Sequence, residues 1–215
     1  MLSLMVFLGN PGATYKNHRH NAGRLLAERL PFFNALGWKK KFKALYGSKD
    51  RAAGTGASGT GPGRVHFIMP ETYMNLSGEA VCKAAAFYNI DPSGIIAVHD
   101  ELELPLGTVS LKYAGGLGGH NGLRSMKTHL GSAGFWRLRI GIGRPPGRQP
   151  GVWGPPGSGG DVARGVLGDF YGAEAPALEI ALAGGAELLT RLLDVEPETL
   201  LAEWKKKNLY SGPDR

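Results

Sequence analysis

The stretch LGNPGATYKNHRHNAG, Leu8 to Gly23, joins two different periodicities. Before it, Leu4 to Leu8 is an unbroken apolar run of strand length, as a strand buried on both faces requires. After it, Leu25, Leu26, Leu30 and Phe33 recur at helical spacing, so Ala22 to Leu36 reads as a helix that Pro31 kinks or ends. Between them the chain turns on Gly9, Pro11 and Gly12 and delivers two histidines and an asparagine to the helix start. In open α/β sheets, ligands sit outside the carboxyl ends of the strands. Asn10 at the strand exit and His20 near the helix are therefore expected to face one pocket.

Working outward, strands are expected at Phe42–Tyr46, Arg64–Met69, Ile95–His99, Val109–Tyr113 and Arg137–Ile142. Helices are expected at Leu76–Tyr88, Asn121–Leu130, Ala173–Leu193 and Glu196–Lys207, the last closing on Lys205, Lys206 and Lys207, cations that suit a helix C-terminus. Such alternation predicts an α/β fold: a single three-layer domain over residues 1–215, with a twisted, mixed, mostly parallel sheet flanked by helices. Two stretches lack the apolar groups to pack. AAGTGASGTGPG at 52–63 and RPPGRQPGVWGPPGSGGD at 144–161 read as flexible Gly-rich loops.

The chain has 215 residues, 42% of them hydrophobic, enough for one well-formed core. No apolar run approaches the ~20 residues of a membrane span, and the first residues lack a signal-peptide pattern, so a soluble, cytoplasmic protein without membrane contact is expected. Cys82 is the single cysteine, which rules out an internal disulfide and a thiolate zinc cluster. The formal charge of +7 is uneven: residues 1–160 carry 19 Lys and Arg against 8 Asp and Glu, and residues 161–215 carry 6 against 10. That asymmetry favours a polyanionic partner such as nucleic acid, although scattered lysines also serve as a plain solvated surface.

Several chemistries fail on residue pattern. There is no HExxH, and His18 and His20 at i, i+2 match no zinc spacing. Gly115 to Gly119 lacks the Walker lysine and the GxGxxG spacing of a nucleotide cradle. No GxSxG elbow is present, and Cys82 lies within an apolar helix pattern. His18, His66 and His129 read as packing or surface residues, and a lone Asn75 or Asn121 reads most simply as a helix N-cap. What remains is His20 with Asp100: a carboxylate that holds imidazole in one tautomer lets the other nitrogen take a proton from water near neutral pH. Amide side chains beside it suit an activated ester better than an amide.

The motifs LGNPGATYKNHRHNAG, PETYMNLSGEAV, HDELELPLG, GGLGGHNGLRS and RLRIGIGRP, in that order and spacing, closely resemble those of bacterial peptidyl-tRNA hydrolases across about residues 4–170. That resemblance implies a monomeric enzyme without cofactor or metal, which cleaves the ester between a peptide's C-terminus and the 3′-terminal ribose of tRNA. It makes His20 the residue that activates water and Asp100 the acid that orients it. Asn10 would hold His20 or the water, Asn75 the peptide and oxyanion, and Asn121 the water and the acceptor end. Tyr15, Met74 and His120 match other residues around the cleft, and Lys112 and Arg139 match basic residues that clamp the tRNA 5′-phosphate. The sequence departs from the family pattern at Phe7, Glu103 and Gly165, none of them a proposed catalytic group. An RNA-binding protein without turnover and a small-molecule esterase stay open as other readings. The retained His20, Asp100 and three asparagines favour an enzyme, and the basic front disfavours a small substrate.

Overall fold

The computed structural model describes residues 1–51, 63–143, 168–170 and 172–210. Its strands are β1 (Leu4–Phe7), β2 (Lys39–Lys41), β3 (Ala44–Asp50), β4 (Arg64–Pro70), β5 (Ile95–Glu101), β6 (Thr108–Tyr113), β7 (Trp136–Gly141) and β8 (Lys207–Asn208). They form one sheet in the order β2-β3-β4-β1-β5-β7-β6-β8. Its centre is parallel, β1 pairing with β4 and β5, and β5 with β7. Both flanks are antiparallel.

Alternation along β1 builds the layers. Leu4 and Val6 enter one core with Ala80, Val81 and Ala84 of α2 (Ser77–Tyr88) and Leu123 and Met126 of α3 (Asn121–Leu130). Met5 and Phe7 enter the other with Leu26 of α1 (Ala22–Ala27), Leu182 and Leu189 of α4 (Ala175–Arg191) and Leu200 and Trp204 of α5 (Pro197–Trp204). Every residue of β1 is buried because helices cover both faces, which is why it reads as a continuous apolar run.

The chain leaves β1 toward β4 on one side and returns to β5 on the other, so the carboxyl ends of β1 and β5 flank a switch point. Helix α1 presses against this point through Gly23. A Cβ there would lie 2.5 Å from the Val98 carbonyl oxygen and 2.6 Å from that of Leu8, both backbone atoms. Only glycine lets the helix approach so closely.

Three expected boundaries move. Helix α1 stops at Ala27, and Phe33–Leu36 forms a separate 3-10 turn, since Pro31 cannot donate to the Ala27 carbonyl and disfavours helical backbone in the residue before it. The strand expected at Phe42 begins at Ala44: Phe42 and Lys43 take φ of 58° each, the two positive values of a type I′ hairpin turn, and join β3 to β2, a strand the charged run Lys39–Lys41 disguised. Helix α5 ends at Trp204 instead of running to Lys207; Lys207 and Asn208 pair with Val109 and Thr108 of β6, satisfying an open sheet edge. Lys205 thus keeps its place at the helix C-terminus as the C-cap, while Lys207 enters the strand. Residues 52–62 and the whole of 144–161 lie outside the described residues.

Candidate functional site

Side chains from five segments converge where β1 and β5 end. The turn Arg19–Asn21, just ahead of α1, is fixed from both sides. Arg19 donates to the Glu174 carboxylate at 3.0 and 2.6 Å. The Asn21 amide exchanges bonds with the Asn10 backbone, accepting from its N–H at 2.9 Å and donating to its carbonyl at 3.0 Å. His20 is thereby held, with 7% of its surface exposed.

Asp100, the penultimate residue of β5, is buried, and its Oδ1 accepts two bonds: from His20 Nδ1 at 2.8 Å and from His120 Nε2 at 3.0 Å. Burial alone would push this carboxyl up, but the two imidazoles outweigh it and hold it well below the usual carboxylate range. A charged Asp100 keeps the His20 proton on Nδ1, leaving the Nε2 lone pair for chemistry. His120 is the N-cap of α3: its Nδ1 accepts from the N–H groups of Gly122 and Leu123 at 3.1 and 3.3 Å. With Nδ1 accepting, a neutral His120 carries its proton on Nε2, aimed at Asp100.

His99, immediately before Asp100, is driven well below the ordinary histidine range, first by burial and then by the neighbouring His120, against the pull of Asp100. It stays neutral, and its Nδ1 donates to the Asp100 carbonyl at 2.7 Å. It adds no positive charge that would compete for the carboxylate.

Two hollows meet at His20 and Asn121, which line both. One, of ≈240 Å³, lies among His99, Asp100, Leu117 and Gly119. The other, a groove of ≈620 Å³, runs between Tyr73–Asn75 and α3. Asn10 Oδ1 accepts from the Met74 N–H at 2.8 Å, which fixes the amide orientation and leaves Nδ2 as the donor free for the groove that Asn10 lines. Met74 is buried beneath this groove while Asn75 and Asn121 stand exposed on it. Neither asparagine is a helix cap: Asn75 sits in the 3-10 turn Met74–Leu76, Leu76 holds the N-cap position of α2, and His120 holds that of α3. Tyr15 lines neither hollow; it packs edge-on against His18 at 5.3 Å and against Tyr73, a groove residue, at 6.4 Å. A further hollow of ≈700 Å³, around Met1, Ser3 and Gly94, opens at the amino ends of β1 and β5, away from the histidines.

Lys112 and Arg139 lie on β6 and β7 and line a separate hollow of ≈750 Å³ with Lys205 and Lys206. Arg139 is not a free arm. It donates to Ser110 Oγ at 2.9 Å and to Glu101 Oε2 at 3.4 Å, which ties it to the residue after Asp100. Sequence reasoning placed Lys205 and Lys206 at the end of the last helix without connecting them to this hollow, and it missed Asn21, Arg19 and Arg137. Buried Arg137 donates to the carbonyls of Gly116 and Gly115 at 2.5 and 2.7 Å, holding the glycine turn that leads to His120.

The ligand atoms of His20, Asp100 and His120 lie within 4.8 Å of one another, a grouping a metal ion could use on distance alone. The proton positions fit poorly. A ligating His120 Nε2 must lose its proton, which would then reside on Nδ1, opposite the two N–H donors that cap α3.

The peptidyl-tRNA hydrolase family model matches residues 4–211. Among curated relatives, the peptidyl-tRNA hydrolase of Treponema pallidum is 45% identical over 213 residues, covering 98% of both chains. That of a Synechococcus strain is 38% identical over 216 residues, covering 100% of this chain and 87% of its own. The crystal structure of peptidyl-tRNA hydrolase from Acinetobacter baumannii superposes with a TM-score of 0.77 at 34% identity, over 95% of this chain and 94% of that one. With the family model covering nearly the whole chain, relatives 38% to 45% identical over almost its full length and the fold in agreement, this chain belongs to the peptidyl-tRNA hydrolase family.

Proposed function

We propose that this protein hydrolyses the ester between the C-terminus of a peptide and the 3′-terminal ribose of tRNA, acting as a cytoplasmic monomer that recycles peptidyl-tRNA. The observation that carries the reading is the His20–Asp100 bond of 2.8 Å at the junction of two hollows, which leaves His20 Nε2 as the available base. Nε2 takes a proton from water as the water oxygen bonds to the ester carbonyl carbon. The imidazolium that forms is stabilised by Asp100, which stays ionised. The carbonyl oxygen becomes an oxyanion facing amide donors, with Asn10 Nδ2 and Asn75 as the candidates on the groove wall. As the intermediate collapses, the ester C–O bond breaks and the proton on Nε2 passes to the leaving ribose oxygen. The products are a free peptide carboxylic acid and tRNA with its terminal hydroxyl restored, so atoms and protons balance without a metal or organic cofactor.

The groove favours a peptidyl ester over a free aminoacyl ester. An ammonium group facing neutral amides would lose hydration without gaining a carboxylate in exchange. Lys112, Lys205 and Lys206 supply salt-sensitive affinity for RNA phosphates, and they read backbone and not base identity. Arg139 contributes through its anchored position beside Glu101. No helix among the described residues is long and apolar enough to cross a membrane. The test is single-turnover hydrolysis of N-acetyl-aminoacyl-tRNA by wild type and His20→Ala. The reading requires rapid release by wild type and none above background by the variant; equal rates reject it.

A further inference from the structure

We propose that His120 is a positioning residue for the hydrolytic dyad, a two-ended strut that ties the N-terminus of α3, and with it Asn121, to the same Asp100 oxygen that orients His20. The proposal rests on His20 acting as the base. One end of the imidazole accepts from Gly122 and Leu123, and the other donates to Asp100 Oδ1 at 3.0 Å. Each end dictates the other. Because the cap requires an acceptor at Nδ1, the only neutral form available presents Nε2–H to the carboxylate. The side chain is 7% exposed, and its ring lies 4.8 Å from that of His20 and 4.9 Å from that of His99. It is thus wedged between the base and a neutral histidine. Gly122 confirms the tightness, since a Cβ there would meet Met74 Sδ at 2.6 Å and His120 Cε1 at 3.1 Å.

The strut has an electrostatic consequence. Asp100 Oδ1 shares its charge between two N–H donors, so His120 tempers the pull of the carboxylate on the His20 proton. The other ionisable groups around the dyad are His99 on β5 beside it, Glu101 next in the strand, and Arg137 and Arg139 on the adjacent β7. Removing the His120 donor leaves these in place and leaves His20 as the only imidazole bonded to the carboxylate.

His120→Asn separates the two ends. Asparagine is among the best N-cap residues, so the cap on Gly122 and Leu123 is kept, but its short amide does not reach Asp100 as the imidazole does. The expected result is a thermal midpoint close to wild type and kcat lowered by about 10- to 100-fold with a smaller change in KM. A variant with wild-type kcat, or one in which KM alone changes, would reduce His120 to a cap and overturn the proposal. Imidazole nitrogen-15 shifts of the wild-type protein test it without mutation. At pH 7 His120 should show a protonated Nε2 and an unprotonated Nδ1, and the reverse tautomer or an imidazolium would overturn it equally. An active His20→Ala would instead refute the base assignment beneath it, so the two failures are distinguishable.

Discussion

Asp100 faces two opposing forces, burial and a pair of imidazoles, and the imidazoles win. Replacing it with asparagine removes the charge that keeps the His20 proton on Nδ1, so Asp100→Asn should lower kcat by about 10²- to 10⁴-fold while the fold persists, measured by single turnover beside circular dichroism. Titration supplies a second prediction. His66 is depressed to about 4, chiefly by burial and further by Arg64 and Lys41, and His99 is depressed as well. A histidine whose folded value lies below its unfolded one contributes stability that is full above ~6.5 and lost as pH falls, because the unfolded chain takes up the proton first. For His66 the loss runs from about 6.5 down to about 4. The thermal midpoint should therefore fall between pH 7 and pH 5, and His66→Phe should flatten that slope. A midpoint independent of pH in both proteins would contradict the assignment. His20, Asp100 and the asparagines were legible in sequence because they stand at element boundaries within recognisable motifs. Asn21, Arg137 and the cap role of His120 were not, since their partners are set by tertiary geometry that no local spacing encodes.

Elements matter here through how closely they approach. Gly23 puts α1 against the ends of β1 and β5, and the His20 turn is the entry to that helix. Gly23→Ala forces a methyl into two backbone carbonyl oxygens. It should cost about 1–3 kcal/mol of stability and, by shifting the turn, lower kcat as well. Thermal denaturation and single-turnover rates check both; a stable, fully active variant would mean that α1 moves without dragging His20. The buried central strands and α2 and α3 were readable because their apolar patterns extend over several turns or a whole strand. The short hairpin strand β2, the early end of α1 and the closing strand β8 were not. In each case a local signal, a charged run or a continuing apolar period, was overruled by a turn conformation, a proline or an open sheet edge.

For the whole molecule, the strand-end site lies at the centre of the sheet, while Lys112, Lys205 and Lys206 gather toward its β6–β8 edge. The sequence announced the basic excess, but not that a C-terminal strand folds back on β6 and brings lysines from a net acidic segment to the same hollow. If this edge holds RNA phosphate, kcat/KM should fall steeply with added salt. Lys112→Ala and Lys206→Ala should each lower the logarithmic salt slope by about 1 while leaving kcat near wild type. Unchanged slopes in both would move the RNA to another face. The most direct test of the account is release of the N-acetyl-aminoacyl group from tRNA by wild type and His20→Ala, with chelator present and free aminoacyl-tRNA as the comparison substrate. The account predicts turnover by wild type alone, unaffected by chelator and confined to the blocked ester. Turnover by His20→Ala, or binding of tRNA without turnover by either protein, would contradict it.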